Sequence, residues 1–188
     1  MLLPAHAGHW VFIRELVREA AAMGSVDREL AADSPTAVEF FARLRRALQT
    51  NYFAEKQAQR ASVPPQRVRG FVYPAPRSTL PIGFVLLKSC GGASFECWLL
   101  GVGSAYRRLG HVRAMIDELL ACDIGRCTHL VRCRNDGGGA AIVADIFRRH
   151  GFVAARESEA DVWLLSPDAP RTLVQAVATA PGSEAAYP

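Results

Sequence analysis

The sequence predicts an α/β (α+β) fold, a mixed, mostly antiparallel central sheet of about six to seven strands flanked by about four helices. Two stretches with apolar residues at helical spacing come first. Three strand-like runs follow with no helix between them, the last two meeting at a glycine turn. Helix and strand alternate only after that, before a closing pair of strands. A doubly wound parallel sheet alternates from its start, so the serial hairpins argue against one.

A short apolar start, Met1 to Pro4, leads to a helix over about His9 to Met23. Its residues Trp10, Ile13, Leu16, Val17 and Ala20 recur at three and four, Arg14, Glu15, Arg18 and Glu19 face away, and Gly24 stops it. The second helix opens at Ser34-Pro35-Thr36, where Thr36 and Glu39 read as a capping box and proline suits the entrance. Val38, Phe41, Leu44, Ala47 and Leu48 form its inward face against Arg43, Arg45 and Arg46; it frays through Asn51 to Arg60 before Pro64-Pro65. Arg67 to Tyr73, Ile82 to Cys90 and Ser94 to Val102 are the three strand runs, with Cys90-Gly91-Gly92-Ala93 as the hairpin turn. A third helix covers about Gly110 to Cys122 with Val112, Met115, Ile116, Leu119 and Leu120 inward, and a buried strand follows at Thr128 to Cys133. Asn135-Asp136-Gly137-Gly138-Gly139 turns into a fourth helix with Ile142, Val143, Ile146 and Phe147 inward, closed by Gly151. Phe152 to Arg156 and Asp161 to Leu165 make the last strands around an acidic turn, Glu157 to Ala160.

A length of 188 residues suits one domain, expected over 1–166. From 167 to 188 the chain is rich in Pro, Ala, Ser and Thr and reads as a flexible tail, with a short helix near Leu173 to Val177. No apolar run approaches the roughly 20 residues that span a bilayer. The first residues lack a basic n-region, so no membrane association and a cytoplasmic location are the expectation. The five cysteines contain no CxxC pair and lie mostly in apolar segments, which predicts buried reduced thiols and no metal site. A net charge of +4 and a pI near 9.0 permit an anionic partner. The basic residues are scattered, Arg43, Arg45 and Arg46 excepted, which argues against nucleic acid.

Ser94 to Cys122 carries the chemistry. An apolar strand breaks at Gly101 and Gly103, crosses an arginine-bearing turn, and enters an amphipathic helix. The free N–H groups at such a helix start, with arginines beside them, favour a phosphate-bearing ligand. A dinucleotide fingerprint would need a third glycine where Tyr106 stands, and no phosphate loop ending in Gly-Lys-Ser/Thr is present. Glu96 on the incoming strand is either a proton acceptor or one half of a cross-strand ion pair with Lys88. Strand alternation puts it on one face with Trp98 and Leu100, opposite Cys97 and Leu99.

The order of elements, with Arg107-Arg108-Leu109-Gly110-His111-Val112 opening the third helix, resembles the GNAT superfamily of acyl-CoA-dependent N-acetyltransferases. The family signature there is Gln or Arg, two variable residues, Gly, one variable residue, then Gly or Ala; Arg107 and Gly110 match, and Val112 replaces the small last residue. Downstream, Asn135 and Ile146 to Phe152 resemble the family's helix ending in a tyrosine, polar residues and Gly-Phe, with Phe147 at the tyrosine position.

The resemblance implies acetyl-CoA as cosubstrate, its pyrophosphate on the turn's amides from Arg108 through Leu109, Gly110 and His111 to Val112, with Arg107 beside them. Its pantetheine arm would bond strand-edge groups near Leu100 and Val102, in a gap opened by a bulge at Gly101 and Gly103, and Asn135 would bond the arm or merely form the turn. Glu96 would be the general base for direct acetyl transfer to a primary amine, on a small molecule or a peptide. Phe147 has no proton to give the departing thiolate, which leaves open a silent acyl-CoA-binding module of the same fold. Asp27, Glu29, Asp33, Glu157, Glu159 and Asp161 would suit a cationic acceptor or simply be solvated. Family members often dimerise, so a homodimer stays open.

Overall fold

A computed structural model describes residues 1–54, 65–122, 127–134, 138–159 and 161–179. Among them, eight strands form one sheet and five helices cover it. The strands are β1 (Leu3–Pro4), β2 (Tyr52–Phe53), β3 (Gln66–Pro74), β4 (Pro81–Gly91), β5 (Ser94–Val102), β6 (Thr128–Arg134), β7 (Val153–Glu157) and β8 (Asp161–Leu165). The helices are α1 (Trp10–Ala22), α2 (Pro35–Thr50), α3 (His111–Ala121), α4 (Gly138–Arg149) and α5 (Arg171–Thr179). The sheet order is β1-β3-β4-β5-β6-β8-β7, with β2 beside β3. Every pair is antiparallel except β5 with β6.

Alternation along the central strands sorts the core into two faces. Val68, Val72, Phe84 and Leu86 pack under α1 and α2 with Ile13, Val17, Phe40, Phe41 and Leu44. Val85, Leu87, Cys97, Val131 and Leu164 pack on the other face under Ile116 and Leu119 of α3 and Phe147 of α4. A smaller cluster joins Leu130 and Leu165 to Leu173 and Val177 of α5. Residues 171–179 form this docked helix, where the sequence reading placed a short one near Leu173 to Val177. An amphipathic stretch of this length is marginal alone and is held by burying its apolar stripe.

Other elements differ from the sequence reading in instructive ways. Ser34, not Thr36, caps α2, its hydroxyl accepting from the Ala37 N–H at 3.0 Å. The buried stripe takes in Ala37 and Phe40 with Phe41, Leu44, Ala47 and Leu48, and Val38 is exposed. Asn51 ends the helix in a left-handed conformation (φ 60°), and the chain turns into β2 rather than fraying. Ile142 of α4 also points to solvent, one position before the half-buried Val143.

Candidate active site

β5 and β6 run side by side only briefly. Phe95 pairs with Thr128, Glu96 with Leu130 and Cys97 with Val131, and there the ladder ends. On the other edge, Leu87 pairs with Cys97 but Leu86 pairs with Leu99, so Trp98 is an extra residue in β5. Such a bulge bends a strand and raises its twist. β5 therefore leaves β6 at Trp98, and its remaining residues to Val102 flank a wedge about 16 Å long. The bulge lies nearer the strand's middle than the glycines suggested. Gly101 has a different task, since a Cβ on it would stand 2.9 Å from the Phe84 ring.

At the open end of the wedge the chain makes a turn and starts α3. A short 3-10 turn, Ser104–Tyr106, is closed by the Tyr106 N–H donating to the Gly103 carbonyl at 2.8 Å. Arg108 (φ 62°) and Gly110 (φ 82°) both take left-handed backbone. The first helical bond runs from the Ala114 N–H to the Gly110 carbonyl at 3.0 Å. The opening N–H groups of α3 therefore precede the intrahelical ladder and carry the positive end of the helix dipole. A Cβ built on Gly110 meets no protein atom within 4 Å, so this backbone faces open space. Val112, the branched residue in the signature's small position, packs against the α3–α4 core. Leu109 and the Arg108 side chain are exposed, and the His111 ring lies 5.9 Å from Tyr73 and 6.2 Å from Tyr106.

Arg107 turns its side chain back onto the protein. Its Nε donates to the Val102 carbonyl at 3.1 Å, and its guanidinium pairs with Glu19 of α1 at 3.1 Å. The side chain ties the turn to α1 rather than pointing off it.

Glu96 sits at the closed end of the wedge. It is 5% exposed, lies in the sheet's interior, and faces Lys88 across the β4–β5 ladder, with Oε2 3.9 Å from Nζ. Lys88 is 3% exposed and also stands 5.2 Å over the Trp98 ring. The cross-strand partner read from the sequence is thus present, and the pair is buried. Phe95 and Cys97 on either side point into the α3–α4 core, so Glu96 faces the α1–α2 side with Trp98. The bulge breaks the alternation there, and Leu100 packs on the opposite face from Glu96, contrary to the sequence reading.

Scanned by sequence, the chain matches no family model and no curated protein. Solved structures do match in shape. An N-acetyltransferase from Staphylococcus aureus aligns with TM-score 0.58 at 11% identity, over 88% of this chain and 99% of that one. A ribosomal-protein-alanine N-acetyltransferase from Brucella melitensis gives 0.57 at 15% identity, over 87% and 97%. The PaiA N-acetyltransferase of Thermoplasma acidophilum, solved in complex with coenzyme A, gives 0.55 at 13%, over 88% and 97%. The chain has the GNAT fold.

Within this GNAT fold the remaining candidates separate into those near the wedge and those spent elsewhere. Phe147 is 0% exposed and packs edge-on against Phe152 at 5.1 Å, filling core where a tyrosine hydroxyl was sought. Tyr73 and Tyr106 stand near the α3 start, at the far end of the wedge from Glu96. Burial, with Glu118 nearby, raises the Tyr73 pKa. Cys97 and Cys133 are buried on the α3–α4 side of the two strands; desolvation pushes the Cys133 thiol up to about 11 and raises Cys97 as well. Asn135 lies outside the described residues.

Several carboxylates in the acidic group have structural partners. Asp27 caps the Glu29 N–H at 3.0 Å, Asp33 pairs with Arg18, and Asp161 pairs with Arg132 at 2.6 Å. Arg132 in turn stands 4.9 Å over the Trp163 ring. Glu29, Glu157 and Glu159 remain exposed. His150, at the end of α4, bonds Asp117 of α3 at 2.8 Å. Among the described residues no His, Cys, Asp and Glu group could hold a metal ion, and no helix is long and apolar enough to cross a membrane.

Sequence reasoning missed Glu19, Trp98 and the Arg132–Asp161 pair. By periodicity Glu19 is a solvent-facing helix residue, and nothing local distinguishes it from Glu15. Trp98 had the size of a core residue but no mark of a bulge.

Proposed function

We propose that the chain is an N-acetyltransferase that moves an acetyl group from acetyl-CoA directly to a primary amine. One observation carries the reading: a strand wedge opens onto a helix start whose Gly110 backbone faces free space. The shape fits the cosubstrate, because a Cβ at Gly110 would occupy the place where a pyrophosphate must approach the amides. The amides from Arg108 to Val112 would hold the pyrophosphate, and the β5 edge at Leu100 and Val102 would hold the pantetheine arm. Acetyl-CoA supplies the activated acyl group. Glu96 would accept the amine's proton at its carboxylate oxygen, on the α1–α2 side of the wedge floor. Lys88 would hold that carboxylate in place, with its ammonium over the Trp98 ring. Departure of the thiolate proceeds without a tyrosine, with solvent or backbone N–H groups in its place.

The fully buried Phe147 favours a second reading, an acyl-CoA-binding module that does not turn over. Calorimetry with acetyl-CoA tests both: unchanged heat and unchanged melting temperature would sink them together. Thiol release from acetyl-CoA against a panel of primary amines then separates them. Turnover with any amine supports the enzyme; binding with no thiol release across the panel supports the silent module.

A further inference from the structure

The turn between β5 and α3 takes a backbone path that its own residues do not favour. Arg108 at φ 62° carries a Cβ in the left-handed region, where non-glycine residues are held only by their surroundings. Leu109 and Gly110 follow, both exposed, and a Cβ at Gly110 would touch no protein atom. The fixed point is therefore the residue just before the strained one.

Arg107 is held from three directions. Its Nε donates to the Val102 carbonyl at 3.1 Å, one Nη donates to Met23 Sδ at 3.0 Å, and the other pairs with Glu19 Oε1 at 3.1 Å. Both Glu19 and Met23 belong to the C-terminal end of α1, Glu19 inside the helix and Met23 at its cap. Both side chains of the ion pair are about one-third exposed, so the contact is partly shielded from screening. One further approach brings α1 to this segment: a Cβ on Gly103 would lie 3.8 Å from Leu16 Cδ2.

Resting on the acyl-CoA reading above, we propose that Glu19 is a positioning residue that, through Arg107, holds the β5–α3 turn in its phosphate-accepting conformation. The carboxylate keeps the guanidinium turned onto α1 and away from the ligand. The Arg107 side chain then fixes the end of β5 and the start of the left-handed path, so the α3 amides are presented before any ligand arrives. Preorganisation of this kind appears as affinity, because the ordering need not be repeated on binding.

The test measures Kd for CoA and for pantetheine, which lacks the pyrophosphate, with wild type, Glu19→Gln and Arg107→Ala. Glu19→Gln should weaken CoA about 3-fold, the loss of one partly exposed ion pair. Arg107→Ala should weaken it about 10-fold or more, since three contacts go at once. Pantetheine affinity should hold in both variants. Equal losses for both ligands would mean general destabilisation and would overturn the proposal. Unchanged CoA affinity in both variants would overturn it too. Tighter CoA binding by Glu19→Gln would show a released Arg107 acting as a phosphate ligand, again against it. A wild-type chain that binds no CoA removes the acyl-CoA reading itself, a failure distinct from these three.

Discussion

Substitution of Gly110 separates its backbone role from its role toward an anion. In Gly110→Ala the new Cβ has open space around it but sits on a residue at φ 82°. The strain of a left-handed alanine is about 1–2 kcal/mol. For a chain of this size each kcal/mol lowers Tm by roughly 2–4 °C, so the melting temperature should fall by roughly 2–8 °C with the fold intact. Gly110→Glu carries the same strain and adds a carboxylate in front of the α3 amides. A charge about 4 Å from a phosphate charge, at an effective dielectric constant of about 20, is repelled by about 4 kcal/mol. That is roughly a thousandfold in Kd, enough to abolish CoA binding in a calorimeter. Differential scanning fluorimetry and calorimetry on the three proteins read both effects. If Gly110→Glu binds CoA within a few-fold of wild type, the pyrophosphate does not lie on this turn. If Gly110→Ala unfolds the chain outright, the open space in front of residue 110 is not there.

Three further outcomes are expected. Glu96→Gln should lower turnover about a hundredfold or more and destabilise the fold by about 3 kcal/mol, because it leaves Lys88 buried beside a neutral partner. A Lys88→Met/Glu96→Leu double variant should regain that stability in urea titration without regaining turnover; turnover in the double variant would remove Glu96 as the base. Phe147→Tyr places a hydroxyl in fully buried core, so urea titration should show a loss of about 1–3 kcal/mol. No loss would mean that the hydroxyl reaches the wedge, and thiol release should then rise. The Cys133 thiol, raised from 9.0 to about 11 by burial, stays protonated in the folded chain after it ionises in the unfolded one. Its stabilising contribution is complete below about pH 9 and falls through pH 11, by roughly 3 kcal/mol in all. Urea titrations at pH 8 and pH 10.5 should show Cys133→Ala losing less stability than wild type over that interval.

Most of the sheet is written locally. The runs at 67–73, 82–90, 94–102, 128–133 and 161–165 differ from the observed strands by no more than a residue at either end. Apolar runs bounded by glycine and polar turns need no distant information. The two-residue β2 was not legible, because Tyr52 and Phe53 form a strand only by pairing with Arg67 and Gln66. The helix faces were nearly right, failing at Val38 and Ile142. There hydrophobicity alone suggested burial, and the packing instead took Ala37 and Phe40, or left the residue in solvent.

The sequence by itself determined the order of the longer elements and the glycine turn opening α3, and it offered Lys88 as a cross-strand partner for Glu96. These follow from periodicity, from backbone preference at glycine, and from the register that a short hairpin imposes. Tertiary structure alone decided that β5 leaves β6 at Trp98, that Arg107 is spent on Glu19, and that α5 docks against Leu130 and Leu165. Each of these is a contact between segments far apart in the chain. Its free energy depends on which surfaces meet, a quantity absent from any local window of residues.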